Sequence, residues 1–165
     1  MAADASRLRN WLNYAAMANG FHCVHVTAAT LPETAGTHLQ QFIAQGFAGD
    51  MSWLAETAAR RSQPRAMWPD AVSAIVLTMN YGPDHDPMDN IRQTDRGNIS
   101  VYARGRDYHD VIKGKLKQLA GQFAARATAN VKVFVDTAPL MEKPLAAKAG
   151  AGWQGKHTNL VSRSA

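Results

Sequence analysis

Three short apolar runs of strand length, set among stretches of helical periodicity, constrain the fold of this 165-residue chain most strongly. The runs are FHCVHVTAA at 21–29, SAIVLTMNY at 73–81 and VKVFVD at 131–136. Their apolar residues either alternate or follow one another without a break, as they do in strands. Apolar residues recur at helical spacing elsewhere, in the segments 7–19, 32–45 and 112–123. This order predicts an α/β (α+β) fold, a single domain with a central mixed β-sheet flanked by helices.

The run GAGWQG at 150–155 has the G-x-G-x-x-G spacing of a dinucleotide-binding loop. That loop needs a strand before it and a helix after it, because the helix N-terminus holds the pyrophosphate. Here the preceding segment EKPLAAKA at 142–149 favours a helix, and ten residues follow Gly155. We therefore reject a dinucleotide fold. We expect the glycines either to end a helix and turn the chain, or to let the backbone approach a large flat ligand.

Cys23 is the single cysteine of the sequence, which excludes a disulfide within the chain. It also excludes an iron–sulfur cluster held by this chain alone, because a cubane cluster needs about four thiolates. No apolar run in the sequence approaches the ~20 residues that cross a bilayer. MAADASRLRN at the N-terminus lacks the apolar core of a signal peptide. We therefore expect a cytoplasmic protein that acts away from membranes, and we take it to be a monomer.

The charge is unevenly distributed along the chain, whose formal net charge is +5. Residues 1–90 carry 5 basic and 8 acidic side chains, a net charge of −3. Residues 91–165 carry 13 basic and 5 acidic side chains, a net charge of +8. A basic half attracts polyanions such as RNA, although a solvated helix surface rich in lysine gives the same count. Charge alone leaves both interpretations open.

Two segments of the sequence carry side chains that suit catalysis or ligand binding. Asp136 stands where the apolar run VKVFV ends, and in open α/β sheets sites collect beyond the carboxyl ends of strands. A buried carboxyl there can act as a general acid, while an N-cap or turn residue is the ordinary alternative. GRDYHD at 105–110 gathers Arg, Asp, Tyr and His at the start of a helix. This cluster can bind a polar or anionic ligand, or it can simply cap that helix.

Three longer stretches carry a resemblance to a known family: MNYGP at 79–83, SVYARGRDYHDVIKGKLKQLA at 100–120 and VFVDTAPLMEKPLAAKAGAGWQGKHTNLVSR at 133–163. In these stretches the chain resembles epoxyqueuosine reductase, the enzyme that catalyses the last step in the synthesis of the modified tRNA base queuosine. The resemblance implies that residues 1–165 are its cobalamin-binding catalytic domain, on a nitroreductase-like scaffold. In that family a ferredoxin-like region with two 4Fe–4S clusters follows, and its cysteines are absent from this sequence.

The resemblance further implies reductive removal of the epoxide oxygen, with Asp136 as proton donor. A carboxyl beside the apolar corrin would be desolvated, which should raise its pKa and keep it protonated. The implied partners are tRNA containing epoxyqueuosine and an external electron donor. No metal ligands among the side chains are implied. The residues implied to bind cobalamin are Arg61, Ser100, Tyr102, Asp136, Trp153, Gln154, Gly155, Lys156, Thr158 and Asn159. Those implied to bind the substrate are Arg106, Tyr108, His109 and Lys143.

Two alternatives to this function stay open. A non-catalytic or vestigial module that binds tRNA or cobalamin would also account for the basic half and the missing cysteines. The cobalamin-dependent reductive dehalogenases are a more distant enzyme class. The segments GRDYHD and DTAP, together with the basic half, favour the tRNA substrate over a halogenated one.

Overall fold

The computed structural model describes residues 2–86 and 88–162. In these residues helices and strands are mixed along the chain, with short 3-10 helices at Asp89–Arg92 and Val101–Ala103. The strands are β1 (Cys23–Ala28), β2 (Ser73–Thr78), β3 (Gly152–Gln154) and β4 (Leu160–Ser162). The helices are α1 (Ala2–Ala18), α2 (Glu33–Ala44), α3 (Ser52–Glu56), α4 (Ala58–Ser62), α5 (Pro64–Met67), α6 (Tyr108–Ala127) and α7 (Glu142–Lys148). None of these helices is long and apolar enough to cross a membrane.

The chain divides into two compact units, each built from two separate segments. The described residues up to 22 and within 79–135 form the first unit. Residues 23–78 and the described residues from 136 onward form the second. The first unit contains α1 and α6, whereas the second contains the four strands and the other helices. That residues 1–165 act as one cobalamin-binding domain stays a prediction.

In the first unit α1 packs on α6. The rings of Trp11 and Phe123 stack with their centroids 6.5 Å apart. The Arg126 guanidinium lies 5.1 Å from the centre of the Trp11 ring, an arrangement that adds a cation–π attraction. Leu12 and Leu119 are buried on these two helices. The helix predicted from the apolar residues of 112–123 is thereby confirmed.

In the second unit β1 and β2 pair antiparallel, with Cys23 opposite Thr78 at one end and Ala28 opposite Ser73 at the other. The alternating and apolar patterns of the sequence predict both strands, and the structure confirms them. The sequence also predicts α2, which begins directly after Pro32. Pro32 is the N-cap of α2, with an extended backbone (ψ 141°), and its carbonyl accepts the Ala35 N–H at 3.0 Å.

Two side-chain contacts tie distant segments of the second unit together. The Leu31 N–H donates to Gln63 Oε1 at 2.9 Å, and Gln63 Nε2 donates back to the Leu31 carbonyl at 3.1 Å. Lys148 Nζ, near the end of α7, donates to the Thr30 carbonyl at 2.6 Å. The segment that follows β1 is therefore held both by the α4–α5 connection and by α7.

The strand predicted at 131–136 is wrong, because VKVFVD belongs to neither sheet. The sequence predicts a central mixed sheet, whereas the strands of the described residues form two antiparallel pairs, β1 with β2 and β3 with β4. The mixed α/β class is confirmed. Val131 and Val135 would lie on the same face of a strand, but Val135 is buried while Val131 is exposed. The apolar alternation of the sequence carries no information on whether a ladder partner lies alongside.

Candidate active site

The glycine run at 150–155 joins a helix to a hairpin. Gly150 follows α7 with φ +85°, a conformation that side-chain-bearing residues rarely adopt. The N–H groups of Gly150 and Ala151 donate to the carbonyls of Ala147 and Ala146, each at 3.0 Å. These two bonds form the Schellman ending of a helix. The expectation that the glycines end a helix is confirmed. Here a helix precedes a strand, whereas in a pyrophosphate-binding turn the strand precedes the helix.

Gly152 opens β3 at a place where two backbones meet. The strands β3 and β4 pair antiparallel, with Gly152 opposite Ser162 and Trp153 opposite Val161. A Cβ atom built on Gly152 would overlap the carbonyl group of Val161. The second glycine of the run is therefore required for strand pairing, because no side chain fits at this position.

The hairpin at 152–162 presents six of the ten residues that the resemblance implies for cobalamin. The Gly155 N–H donates to the Asn159 carbonyl at 3.0 Å, and the Thr158 N–H donates to the Gly155 carbonyl at 2.9 Å. Gln154 Nε2 donates to the Thr158 carbonyl at 3.5 Å. The exposed side chains of the hairpin include those of Trp153, Gln154, Lys156, Thr158 and Asn159. One short hairpin thus offers an indole, two amides, an ammonium and a hydroxyl.

Thr158 has a φ of +65°, which is an outlier for a β-branched residue. Asparagine tolerates the left-handed region far better and lacks the extra backbone freedom of glycine. We expect Thr158→Asn to raise the free energy of unfolding by about 1 kcal/mol, measured by urea denaturation. The control is Thr27→Asn in β1, which should lower stability because asparagine disfavours strands. A less stable Thr158→Asn variant would mean that contacts of the threonine outweigh its strain.

Asp136 lies in a turn rather than at the end of a strand. Its φ is +52°, in the left-handed region, and its side chain is exposed. Its N–H donates to Glu142 Oε1 at 3.1 Å. Within the same turn the Leu140 N–H donates to the Ala138 carbonyl at 2.7 Å, and the Glu142 N–H donates to the Leu140 carbonyl at 3.1 Å. The turn therefore presents the Asp136 carboxyl to solvent from a backbone closed by hydrogen bonds.

Glu142 is a residue of this site that the sequence analysis missed. It is the first residue of α7 and is half-buried. Burial raises the pKa of Glu142, and the negative charge of Asp136 raises it further, whereas the hydrogen bond from the Asp136 amide lowers it. The sequence signal that could have identified Glu142 was its place in the first turn of a predicted helix, six residues after Asp136. A first-turn glutamate is ordinarily explained by the helix dipole alone.

Lys143 links the Asp136 turn to the hairpin. Its Nζ donates to Asn159 Oδ1 at 3.5 Å, and Lys143 directly follows Glu142 in α7. The second unit therefore connects three of the predicted residues: Asp136 through its amide hydrogen bond to Glu142, Lys143 next to Glu142 in α7, and Asn159 of the hairpin. These side chains supply a carboxyl, an ammonium and an amide, which can donate or accept protons and hydrogen bonds.

Arg61 belongs to the same unit but has partners on its own helices. Its guanidinium lies 4.9 Å from the centre of the Trp53 ring, and its Nε donates to Thr57 Oγ1 at 2.8 Å. These contacts hold the Arg61 side chain of α4 against Trp53 of α3. A role for Arg61 in cofactor binding stays a prediction.

The first unit carries the other predicted residues near the start of α6. The rings of Tyr102 and Tyr108 meet edge to face with centroids 6.2 Å apart, and those of Tyr108 and His109 stack at 4.0 Å. Ser100 precedes the 3-10 helix, and its carbonyl accepts the Ala103 N–H at 2.9 Å. Rings arranged in this way offer flat faces on which nucleobases stack.

Asp107 caps α6 beside these rings. Its Oδ1 accepts the His109 N–H at 2.9 Å and lies 2.8 Å from His109 Nδ1. The first of these hydrogen bonds, assisted by the second, lowers the pKa of Asp107. The capping interpretation of GRDYHD is therefore confirmed for Asp107. Arg106, which precedes it, is exposed.

Comparison with known proteins gives a consistent set of relatives. A family model described as "Epoxyqueuosine reductase QueG, DUF1730" matches residues 61–137. The epoxyqueuosine reductase of Alicycliphilus denitrificans is 36% identical over 167 residues, which cover 96% of this chain and 45% of the relative. That of Escherichia coli K12 is 33% identical over 163 residues, covering 98% of this chain and 42% of the relative. The chain therefore spans less than half the length of these relatives.

Solved structures share the fold at low sequence identity. An epoxyqueuosine reductase crystallised with an epoxyqueuosine-modified tRNA-Tyr stem loop aligns with a TM-score of 0.76 and 22% identity, over 95% of this chain and 42% of that one. The enzyme of Bacillus subtilis aligns with a TM-score of 0.71 and 20% identity, over 95% of this chain and 41% of that one. In that structure a catalytic loop with an aspartate is swung out of the active site.

Proposed function

Because this chain is a homologue of the epoxyqueuosine reductases over nearly its whole length, we propose that it reduces epoxyqueuosine in tRNA to queuosine. In this reaction both carbon–oxygen bonds of an epoxide break and a carbon–carbon double bond forms. Two electrons and two protons are consumed, and the oxygen leaves as water. The similarity at 33–36% identity is the observation that carries the proposal.

The proton donor in this proposal is Asp136. Its carboxyl is presented to solvent from a turn with a strained, left-handed backbone, and such outliers cluster at functional sites. The Bacillus subtilis relative has a catalytic loop with an aspartate, which supports the same role for the Asp136 turn. The protonated carboxyl would deliver its proton to the epoxide oxygen as negative charge develops there.

Cobalamin is the cofactor that we propose, and the hairpin at 152–162 fits it by chemistry. Trp153 is 50% exposed, so its indole can pack against a flat apolar ring. Gln154, Lys156 and Asn159 can hydrogen-bond to the amide groups at the edge of a corrin. Cobalamin would supply electrons from a low-valent cobalt. The chain's own residues would orient it and exclude water.

The proposed substrate is the epoxyqueuosine base of a tRNA. A relative of the same fold was crystallised with an epoxyqueuosine-modified stem loop. The stacked rings of Tyr108 and His109 suit a base, and Arg106 and Lys143 suit phosphate or polar groups of the nucleotide. Residues 91–165 carry a net charge of +8, which favours binding of a polyanion.

The electrons must come from outside these 165 residues, since the sequence has one cysteine and a cubane cluster needs about four thiolates. An external donor, protein or chemical, is therefore part of the proposal. The cytoplasmic location and the monomeric state stay predictions.

A cobalamin titration tests the proposal directly. We expect the purified chain to change the visible spectrum of cobalamin and to retain it through a desalting column. Trp153→Ala should weaken this binding, whereas Phe47→Ala, which removes another exposed ring of the second unit, should not. A folded chain that leaves the cobalamin spectrum unchanged would contradict the proposal that cobalamin is the cofactor. If such a chain still bound tRNA in a salt-sensitive way, the non-catalytic binding module would be favoured instead.

A further inference from the structure

The hydrogen bond between Asp136 and Glu142 connects a strained turn to a fixed helix. Asp136 holds a φ of +52°, in the left-handed region that few residues other than glycine, asparagine and aspartate adopt. Glu142 begins α7, whose Leu145 and Ala146 are buried. The acceptor oxygen of Glu142 is therefore carried by an element that core packing fixes, while the donor amide belongs to the exposed turn.

The position of Glu142 is unfavourable for an ionised side chain. Burial and the charge of Asp136 both oppose ionisation, while the amide hydrogen bond from Asp136 favours it. A first-turn acid that only served the helix dipole would gain nothing from this half-buried place beside another carboxyl. Glu33 offers the comparison, because it begins α2 and is exposed. The amide of Asp136 is thus the specific partner of the Glu142 carboxyl.

We propose that Glu142 is a positioning residue for Asp136: by accepting the Asp136 N–H, it holds the turn in the conformation that presents the Asp136 carboxyl. The catalytic consequence rests on the proposed function. Loss of this hydrogen bond would let residue 136 relax toward an ordinary backbone conformation. The carboxyl would then leave the place from which it donates its proton.

The amide of Asp136 reports this hydrogen bond by NMR without any cofactor. In the wild-type chain we expect slow exchange of this amide, and a chemical shift that follows the titration of Glu142 with a midpoint above the ordinary glutamate value. Glu142→Ala should speed the exchange, whereas Glu142→Gln, which keeps a carbonyl acceptor, should retain protection but lose the Glu142 titration. Asp136→Asn keeps the amide donor and should keep the Glu142 titration, with the midpoint lowered because the charge of Asp136 no longer opposes ionisation of Glu142. Glu33→Ala is the matched control and should change neither quantity.

Turnover with cobalamin and a chemical reductant tests the consequence. Glu142→Ala should lower kcat about tenfold, the equivalent of one hydrogen bond, with cobalamin affinity unchanged, and Glu142→Gln should restore most of the rate. An unchanged Asp136 amide in Glu142→Ala would overturn the proposal, as would an unchanged kcat. A wild-type chain that binds cobalamin but shows no turnover would contradict the proposed function alone, because the amide measurement decides the hydrogen bond separately.

Discussion

Replacing Asp136 with asparagine is expected to lower epoxyqueuosine turnover by roughly 10²- to 10⁴-fold, the usual contribution of a general acid. Asparagine has nearly the same size and can occupy the same turn, but it has no acidic proton to deliver to the epoxide oxygen. The N–H of residue 136 can still donate to Glu142 Oε1, as in the wild type. The measurement is turnover of an epoxyqueuosine-containing tRNA with cobalamin and a chemical reductant.

The matched control for this variant is Asp50→Asn, which removes another exposed carboxylate from the second unit. It should leave turnover unchanged. Cobalamin binding and thermal stability should be the same for both variants and the wild type. If Asp136→Asn kept wild-type turnover, the proton would have to come from another group, and Asp136 would lose its proposed role.

Replacing Gly152 with alanine is expected to lower the free energy of unfolding by about 2–3 kcal/mol, in the range of overpacking substitutions. The added Cβ would overlap the Val161 carbonyl, and a backbone group cannot move aside as the end of a flexible side chain can. The strands β3 and β4 would separate at their first pair. Urea denaturation gives the stability, and the NMR signal of the indole N–H of Trp153, next in β3, reports the hairpin itself.

Gly121→Ala provides the control for the Gly152 variant. Gly121 lies within α6, and a Cβ there would have no neighbour within 4 Å. Alanine in a helix interior should raise stability by about 0.5–1 kcal/mol. A Gly152→Ala variant as stable as the wild type would contradict the close backbone approach between β3 and β4. Cobalamin binding should fall together with the hairpin, since the predicted contacts lie on it.

Part of the fold could be predicted from apolar patterns that lie within a single segment of the sequence. The apolar residues of 112–123 predict α6, and the apolar run at 73–81 predicts β2, because both patterns report a buried face. The pairing of strands depends on a second segment. VKVFVD at 131–136 therefore has a strand pattern without a ladder, and β3 was missed because GWQ is short and begins with glycine.

The candidate site, too, could be predicted only where it depends on a single segment. Asp136 could be named because it follows an apolar run and opens the DTAP segment, although it stands in a turn instead of at a strand end. The hydrogen bond from its amide to Glu142 could not be predicted, since it depends on the left-handed backbone at residue 136. Likewise, the contact between Lys143 and Asn159 joins residues 16 positions apart, which no local periodicity relates.

The hydrogen bond from Lys148 to Thr30 has a consequence for synthesis of the protein on the ribosome. It joins residues 118 positions apart, and the second unit as a whole is interrupted by the residues 79–135 of the first. Residues 23–78 therefore emerge long before their partners in α7 and the hairpin. We expect completion of this unit to come late, after closure of a long loop with its entropic penalty. Until then β1 and β2, together with α2–α5, lack α7 and the hairpin, and a two-stranded sheet is marginally stable in water and open to association with other nascent chains.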